Sequence, residues 1–201
     1  MENITVNLMR AMILAAILMV GCGDSEDSGP VVDSELPGVY RIDVYEGSQD
    51  GCEQPTDISG APGYLVLYSF RPNDALDEAR LGGTFCSSVE DCRAVAQAAL
   101  EPTIGYSFWE GTDDTEWRGW AIASAGAAND QCRADVQAHV LTSLDTQSID
   151  IETKTFETVF PPTMAEGNEA TCRNADALAA LEPDLPCKAI LLLEGTREAG
   201  L

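Results

Sequence analysis

On either side of Leu144-Asp145-Thr146 the chain alternates between aliphatic and polar residues, and that alternation leaves few folds open to it. Before the turn Ala134, Val136, Ala138 and Val140 alternate with Arg133, Asp135, Gln137 and His139. After it Ile149 and Ile151 alternate with Asp150, Glu152 and Lys154. A period of two sends successive side chains to opposite faces of a strand, so two antiparallel strands with one dry face each are expected. On this phase His139, the only histidine in the chain, stands on the wet face as a plain surface residue.

Other runs of β-branched and aromatic residues are bounded by Gly, Pro, Asn or Asp and carry the same signal. They predict strands at Val39 to Glu46, Tyr64 to Phe70, Leu81 to Phe85, Thr103 to Glu110, Trp117 to Ser124 and Lys188 to Gly195. With Arg133 to Ser143 and Gln147 to Phe160 the number is eight. Two helices interrupt them. Ser87-Ser88-Val89-Glu90 has capping-box spacing and opens Val89 to Leu100, and a second helix runs from about Arg173 to Leu181. Each stops ahead of a proline, Pro102 or Pro183, and each is short enough to lie over the mouth of a barrel.

The first residues say where such a chain works. Met9-Arg10, the apolar run Ala11 to Val20 and then Gly21-Cys22 have the basic start, greasy core and small residue of a secretory signal. The run is shorter than the roughly 20 apolar residues of a bilayer span. Leu18-Met19-Val20-Gly21-Cys22 resembles the bacterial lipoprotein signal, with Met19 where that family usually has Leu. The resemblance implies cleavage after residue 21, acylation of Cys22, a membrane anchored through that lipid, and a place on the outer membrane or cell surface. Met9 makes a better start than Met1, because Glu2 precedes the basic residue. Residues 22–36 are acidic, with Gly and Pro, and form a tether that buries too little apolar surface to order itself; residues 37–201 suit one domain, expected to be a monomer.

An exported chain keeps its cysteines oxidised. Apart from Cys22 they are Cys52, Cys86, Cys92, Cys132, Cys172 and Cys187, an even set without a Cys-x-x-Cys pair or a histidine partner, so three disulfides are expected rather than a metal site. If eight strands run up and down in order, the loops after the first, third, fifth and seventh share one rim, and those loops hold all six. Two pairings stay open. One joins Cys86 to Cys92, Cys172 to Cys187 and Cys52 to Cys132. The other follows an apparent duplication of period about 80: Cys132 lies 80 residues after Cys52 and Cys172 lies 80 after Cys92, while Ala96 to Pro102 returns 81 residues on as Ala177 to Pro183; it joins Cys52 to Cys92, Cys132 to Cys172 and Cys86 to Cys187.

Charge removes one class of partner. With 11 Lys and Arg against 34 Asp and Glu, the formal charge is −23, and the basic residues are scattered, so no nucleic acid is expected to bind. Asp113-Asp114-Thr115-Glu116 lacks the spacing of a calcium loop. No Gly-x-Ser-x-Gly elbow and no phosphate loop is present, so the chain is not expected to be an enzyme or to need a cofactor; a carboxylate-dependent hydrolase is the weaker alternative.

Gly38-Val39-Tyr40 at the first strand, Gly195-Thr196-Arg197 at the last, and eight strands between them resemble the lipocalin or calycin barrels, with Tyr40 where that family has Trp. The resemblance implies an eight-stranded antiparallel up-and-down barrel in which a basic residue of the last strand covers the first strand's ring. Such a barrel removes exposed sheet edges and encloses either its own side chains or one small ligand. Tyr64, Tyr68, Tyr106, Phe108 and Trp120 are then the candidates to line a pocket for a small apolar ligand, or to fill the core. The other functional expectation is a surface adhesion or inhibitor module with a solid barrel, binding a protein through rim loops near Ala125 to Asn129 or Phe160 to Glu166.

Overall fold

The computed structural model describes residues 34–72, 79–102, 105–112, 115–128, 131–143, 145–164, 170–182 and 184–201. The signal, Cys22 and most of the tether lie outside them. The chain forms an eight-stranded closed antiparallel β-barrel. Its staves, in chain order, are β1 (Gly38–Ser48), β3 (Tyr64–Phe70), β4 (Arg80–Cys86), β5 (Tyr106–Thr112), β6 (Glu116–Ala128), β7 (Gln131–Ser143), β8 (Ser148–Phe160) and β11 (Cys187–Ala199). Each pairs with the next, and β11 returns to pair with β1 from Val39↔Ala199 to Ser48↔Ile190, which closes the cylinder. Three two-residue strands decorate the loops: β2 (Thr56–Asp57) on β1, and β9 (Thr163–Met164) against β10 (Ala170–Thr171).

The hairpin that is clearest in the sequence is also the longest ladder. β7 and β8 pair from Ser143↔Ile149 to Cys132↔Phe160. Because Leu141 pairs with Ile151 and His139 with Thr153, the odd-numbered residues of both strands share one face. Ile149, Ile151 and Leu141 on that face belong to the main core, together with Leu65, Leu67, Leu81, Phe108 and Leu193 from the other staves, so the odd face is the inside of the barrel. The expected phase of β7 is therefore inverted. His139 points inward and is 2 % exposed. Cys132, Ala134 and Val136 are buried on the outside of the wall.

A helix explains that outer burial. α2 (Asn174–Ala179) lies across β6, β7 and β8, and Ala177 and Leu178 meet Ala134, Val136 and Phe160. On the opposite wall α1 (Val89–Ala98) covers β3, β4 and β1, where Cys92, Val89 and Val95 meet Val66, Tyr68 and Phe70. The helices thus lie against the outer wall instead of over the mouth: a stave whose outer face is also apolar offers them more to bury than an open rim does. α1 is capped by Ser88, whose hydroxyl accepts from the Asp91 amide at 3.1 Å, while Asp91 accepts from the Ser87 amide and hydroxyl at 2.9 Å each. The cap sits one residue later than the expected Ser87–Glu90 box.

Three disulfides gather at one end of the barrel, as the loop bookkeeping requires. They join Cys52 to Cys187, Cys86 to Cys92 and Cys132 to Cys172. Each expected set supplies one pair, Cys86–Cys92 from the first and Cys132–Cys172 from the second, and neither contains Cys52–Cys187. The 80-residue symmetry is not kept, because Cys52 and Cys92 pair elsewhere. The reason is local. The Gly51 amide donates to the Lys188 carbonyl at 2.9 Å, which ties the loop after β1 to the start of β11 and leaves Cys52 beside Cys187.

Candidate functional site

The two ends of the barrel differ. At the end away from the disulfides Leu36, Tyr40, Leu65, Leu67, Leu81, Phe108, Leu141, Ile149, Ile151 and Leu193 fill the interior as a solid core. Tyr40 is 1 % exposed; its hydroxyl donates to the Leu36 carbonyl at 2.8 Å, plugging this end with the segment that enters β1. Arg197 of β11 stands over the Tyr40 ring with its guanidinium carbon 5.8 Å from the centroid. Its nitrogens donate to the carbonyls of Pro37 and, at 3.3 Å, Thr146. Gly38 leaves the room for it, because a β-carbon there would press on the guanidinium.

Towards the disulfide rim the interior opens into a cavity of about 310 Å³. One side is apolar and aromatic. Tyr45 meets Phe85 edge-on with 6.2 Å between centroids, and Phe85 meets Tyr106 at 5.8 Å, with Leu191 beside them. The other side is polar, and it is one block of the β7–β8 ladder: Gln137 opposite Thr155, and His139 opposite Thr153. One pair deeper, at Leu141↔Ile151, the same inner face turns aliphatic. Gly119 of β6 pairs with His139, and a β-carbon there would overlap the Ser107 carbonyl oxygen of β5, so glycine lets these strands close.

The floor of the cavity is a hydrogen-bonded cluster. His139 Nδ1 and the Thr153 hydroxyl share a bond of 3.1 Å, and the Thr153 hydroxyl also serves Tyr106. The Tyr106 ring stands edge-on to the imidazole with 5.1 Å between centroids. Burial pushes the His139 pKa down to about 4, so the ring is neutral at pH 7. Burial raises Tyr106 well above its usual value, aided by neighbouring Tyr45 and opposed by the bond from Thr153. Among the described residues nothing bonds to His139 Nε2, although its neighbours close it off from solvent. No described residue that lines the cavity carries a charge at pH 7. Charge begins at the rim, where Lys188 bonds Asp135 at 2.8 Å and Arg133 bonds Glu157 at 3.3 Å, both solvent-exposed pairs of small energetic weight.

The five aromatic candidates divide. Tyr106 and Phe108 face inward, Tyr106 at the floor of the cavity and Phe108 in the solid core. Tyr64 and Tyr68 are outside, in the cluster beneath α1. The Tyr68 hydroxyl donates to the Leu100 carbonyl at 2.9 Å and meets the Thr84 hydroxyl at 3.2 Å, so it ties the end of the helix segment to the wall. A cleft of about 460 Å³ lies there, between β4 and the residues that follow α1. Trp120 is also outside, stacked on Trp109 with ring centroids 5.6 Å apart, and Arg80 lies 3.5 Å over the Trp109 ring. Sequence reasoning missed Tyr45, Phe85, Gln137, His139, Thr153 and Thr155. Of the candidate rim loops, Phe160 is buried under α2 and Met164 is 61 % exposed; residues 129 and 165–169 lie outside the described residues.

Among the described residues no group of three or more His, Cys, Asp or Glu could hold a metal ion, and no helix is long and apolar enough to cross a membrane. Compared with known proteins, the chain matches no family model, no curated protein and no solved structure.

Proposed function

We propose that this protein is a lipid-anchored lipoprotein of the cell envelope whose barrel binds or carries a small, largely apolar molecule. The observation that carries the reading is the half-hollow interior: a solid core seals one end, and a cavity of about 310 Å³ with an aromatic and aliphatic side occupies the other. Ligand sites are concave, mostly apolar and furnished with a few polar groups, and volumes near 300 Å³ lie at the small end of their range. Arg197 over Tyr40 is the arrangement that a lipocalin-like ancestry leads one to expect at the sealed end. The lipoprotein-like signal that ends at Cys22 supports tethering: two or more acyl chains on that cysteine would hold the protein stably, where one, at about 0.8 kcal/mol per buried CH₂, would hold it marginally. The tether reaches the barrel at its sealed end, so the cysteine rim is the end free to turn away from the membrane.

Mass spectrometry of an organic extract of the purified protein tests this reading. A lipid-like molecule present in proportion to protein is expected. An empty extract, together with no uptake of any small apolar probe by the extracted protein, would overturn it.

A second reading has its own observation. Ile58, Val159 and Met164, in or next to the loops after β1 and β8, are large apolar side chains exposed towards the rim end, which suits a protein-binding surface. A pull-down that captures a partner with the natural protein and loses it on changing Ile58 and Met164 to Ser would favour that reading; no captured partner would count against it.

A further inference from the structure

We infer that the molecule held in the barrel is an uncharged amphiphile, and that its hydrogen-bonding head, a hydroxyl or primary amide, seats on the polar block formed by Gln137, His139, Thr153 and Thr155. This rests on the carrier reading above and adds the chemistry of the head. Four polar side chains in two adjacent cross-strand pairs occupy the inner wall of a barrel whose next pair inward is Leu141↔Ile151. Buried polar groups persist where they are hydrogen-bonded, and each one left unpaired costs free energy. Within the block the Thr153–His139 bond uses Nδ1, and Nε2 is left without a partner among the described residues in a side chain 2 % exposed. That nitrogen is covered, so a head group reaches it as the floor side chains give way, whereas Gln137 and Thr155 are only half-buried and meet the head first.

Charge complementarity selects the head. A carboxylate or an ammonium placed in the cavity would find no opposite charge among the described lining residues, and the neutral His139 cannot supply one. The formal charge of −23 further repels anions on approach. A hydroxyl or amide both donates and accepts, so it satisfies Nε2 in either tautomer of the ring, along with the Gln137 amide and the Thr155 hydroxyl. The apolar tail then lies along Tyr45, Phe85 and Leu191. The cavity equals about ten water volumes, which suits a chain of roughly eight carbons with its head.

The test titrates the full mature chain at pH 7 with n-octanol, n-octane, octanoate and octylammonium, equal tails with different heads. Binding is read by calorimetry and by the NMR signal of the single imidazole. Octanol is expected to bind about tenfold more tightly than octane, octanoate or octylammonium, and to shift the His139 resonances. Thr155→Val, which keeps shape and loses the hydroxyl, and His139→Leu should each weaken octanol several-fold and leave octane unchanged. Octane binding to the variant also reports that it is folded, and should His139→Leu fail to fold, the head-group series on the natural protein decides alone. If octane or octanoate binds as tightly as octanol, or octanol binds without moving the imidazole signal, the head-group inference falls while the carrier reading stands. If none of the four binds, the carrier reading falls with it.

Discussion

Lowering the pH from 7 to 4 should destabilise this barrel through one identifiable side chain. His139 is 2 % exposed, and burial pushes its folded pKa down to about 4 from the ordinary imidazole value of 6.5. Between those values the unfolded chain binds a proton that the folded chain refuses, so stability falls as pH falls. The contribution is fully present above pH 6.5, declines through the window, and is exhausted below about pH 4. Its size is about 2.5 pKa units at about 1.36 kcal/mol each, or roughly 3 kcal/mol. Carboxylates titrate in the same window and must be subtracted. Urea unfolding of the natural protein and of His139→Gln at half-unit pH steps isolates the imidazole, and the stability difference between the two should shift by roughly 3 kcal/mol against the natural protein between pH 7 and 4. Since the chain has one histidine, the ring proton signal gives the native midpoint without assignment. A native midpoint near 6.5, or a stability difference that does not change with pH, would refute the inward placement of the ring.

Replacing Cys22 by Ser should move the domain from the membrane to the soluble fraction; unchanged retention in fractionation would contradict the lipid anchor. Removing Cys132–Cys172, whose partners lie 40 residues apart, should cost more than removing Cys86–Cys92, only 6 apart, by about 1.7 kcal/mol if loop entropy governs both. Equal melting-temperature losses for the two paired Cys→Ala variants would contradict that ordering. Tyr40→Phe deletes the bond to the Leu36 carbonyl and should cost about 1 kcal/mol in urea unfolding, with ligand uptake unchanged because Tyr40 lies in the sealed end. Gly119→Val should prevent soluble, folded expression, since its side chain would drive β6 away from β5 beside His139.

The barrel was legible because its signals are local. Alternation marks the staves, turn residues bound them, and up-and-down order sends every second loop to one end, which is why the cysteines meet there. The cavity was hidden by a rule that works for solid sheets: the aliphatic face is taken as the interior. In β7 that rule inverts, because α2 buries Cys132, Ala134 and Val136 on the outside while Gln137 and His139 face a hollow. One signal could have exposed the inversion. A short turn that sets Ser143 opposite Ile149 forces His139 onto the face of Ile151 and Thr153, so the dry face of β8 fixes the inner face of β7. Tyr64, Tyr68 and Trp120 were misplaced for the same reason, since aromatics under a covering helix or stacked on the outer wall look in sequence like those lining a pocket. The pair Cys52–Cys187 had no local signal, as its partners lie 135 residues apart and meet only when the barrel closes.

Where a bound molecule sits decides the matter most directly. In a sample of the folded protein loaded with n-octanol, intermolecular NOEs should run from the alkyl chain to Tyr45, Phe85 and Leu191, inside the barrel at the rim end. NOEs confined to Tyr68, Val95 and Leu100, in the outer cleft beside α1, would contradict a ligand-holding interior.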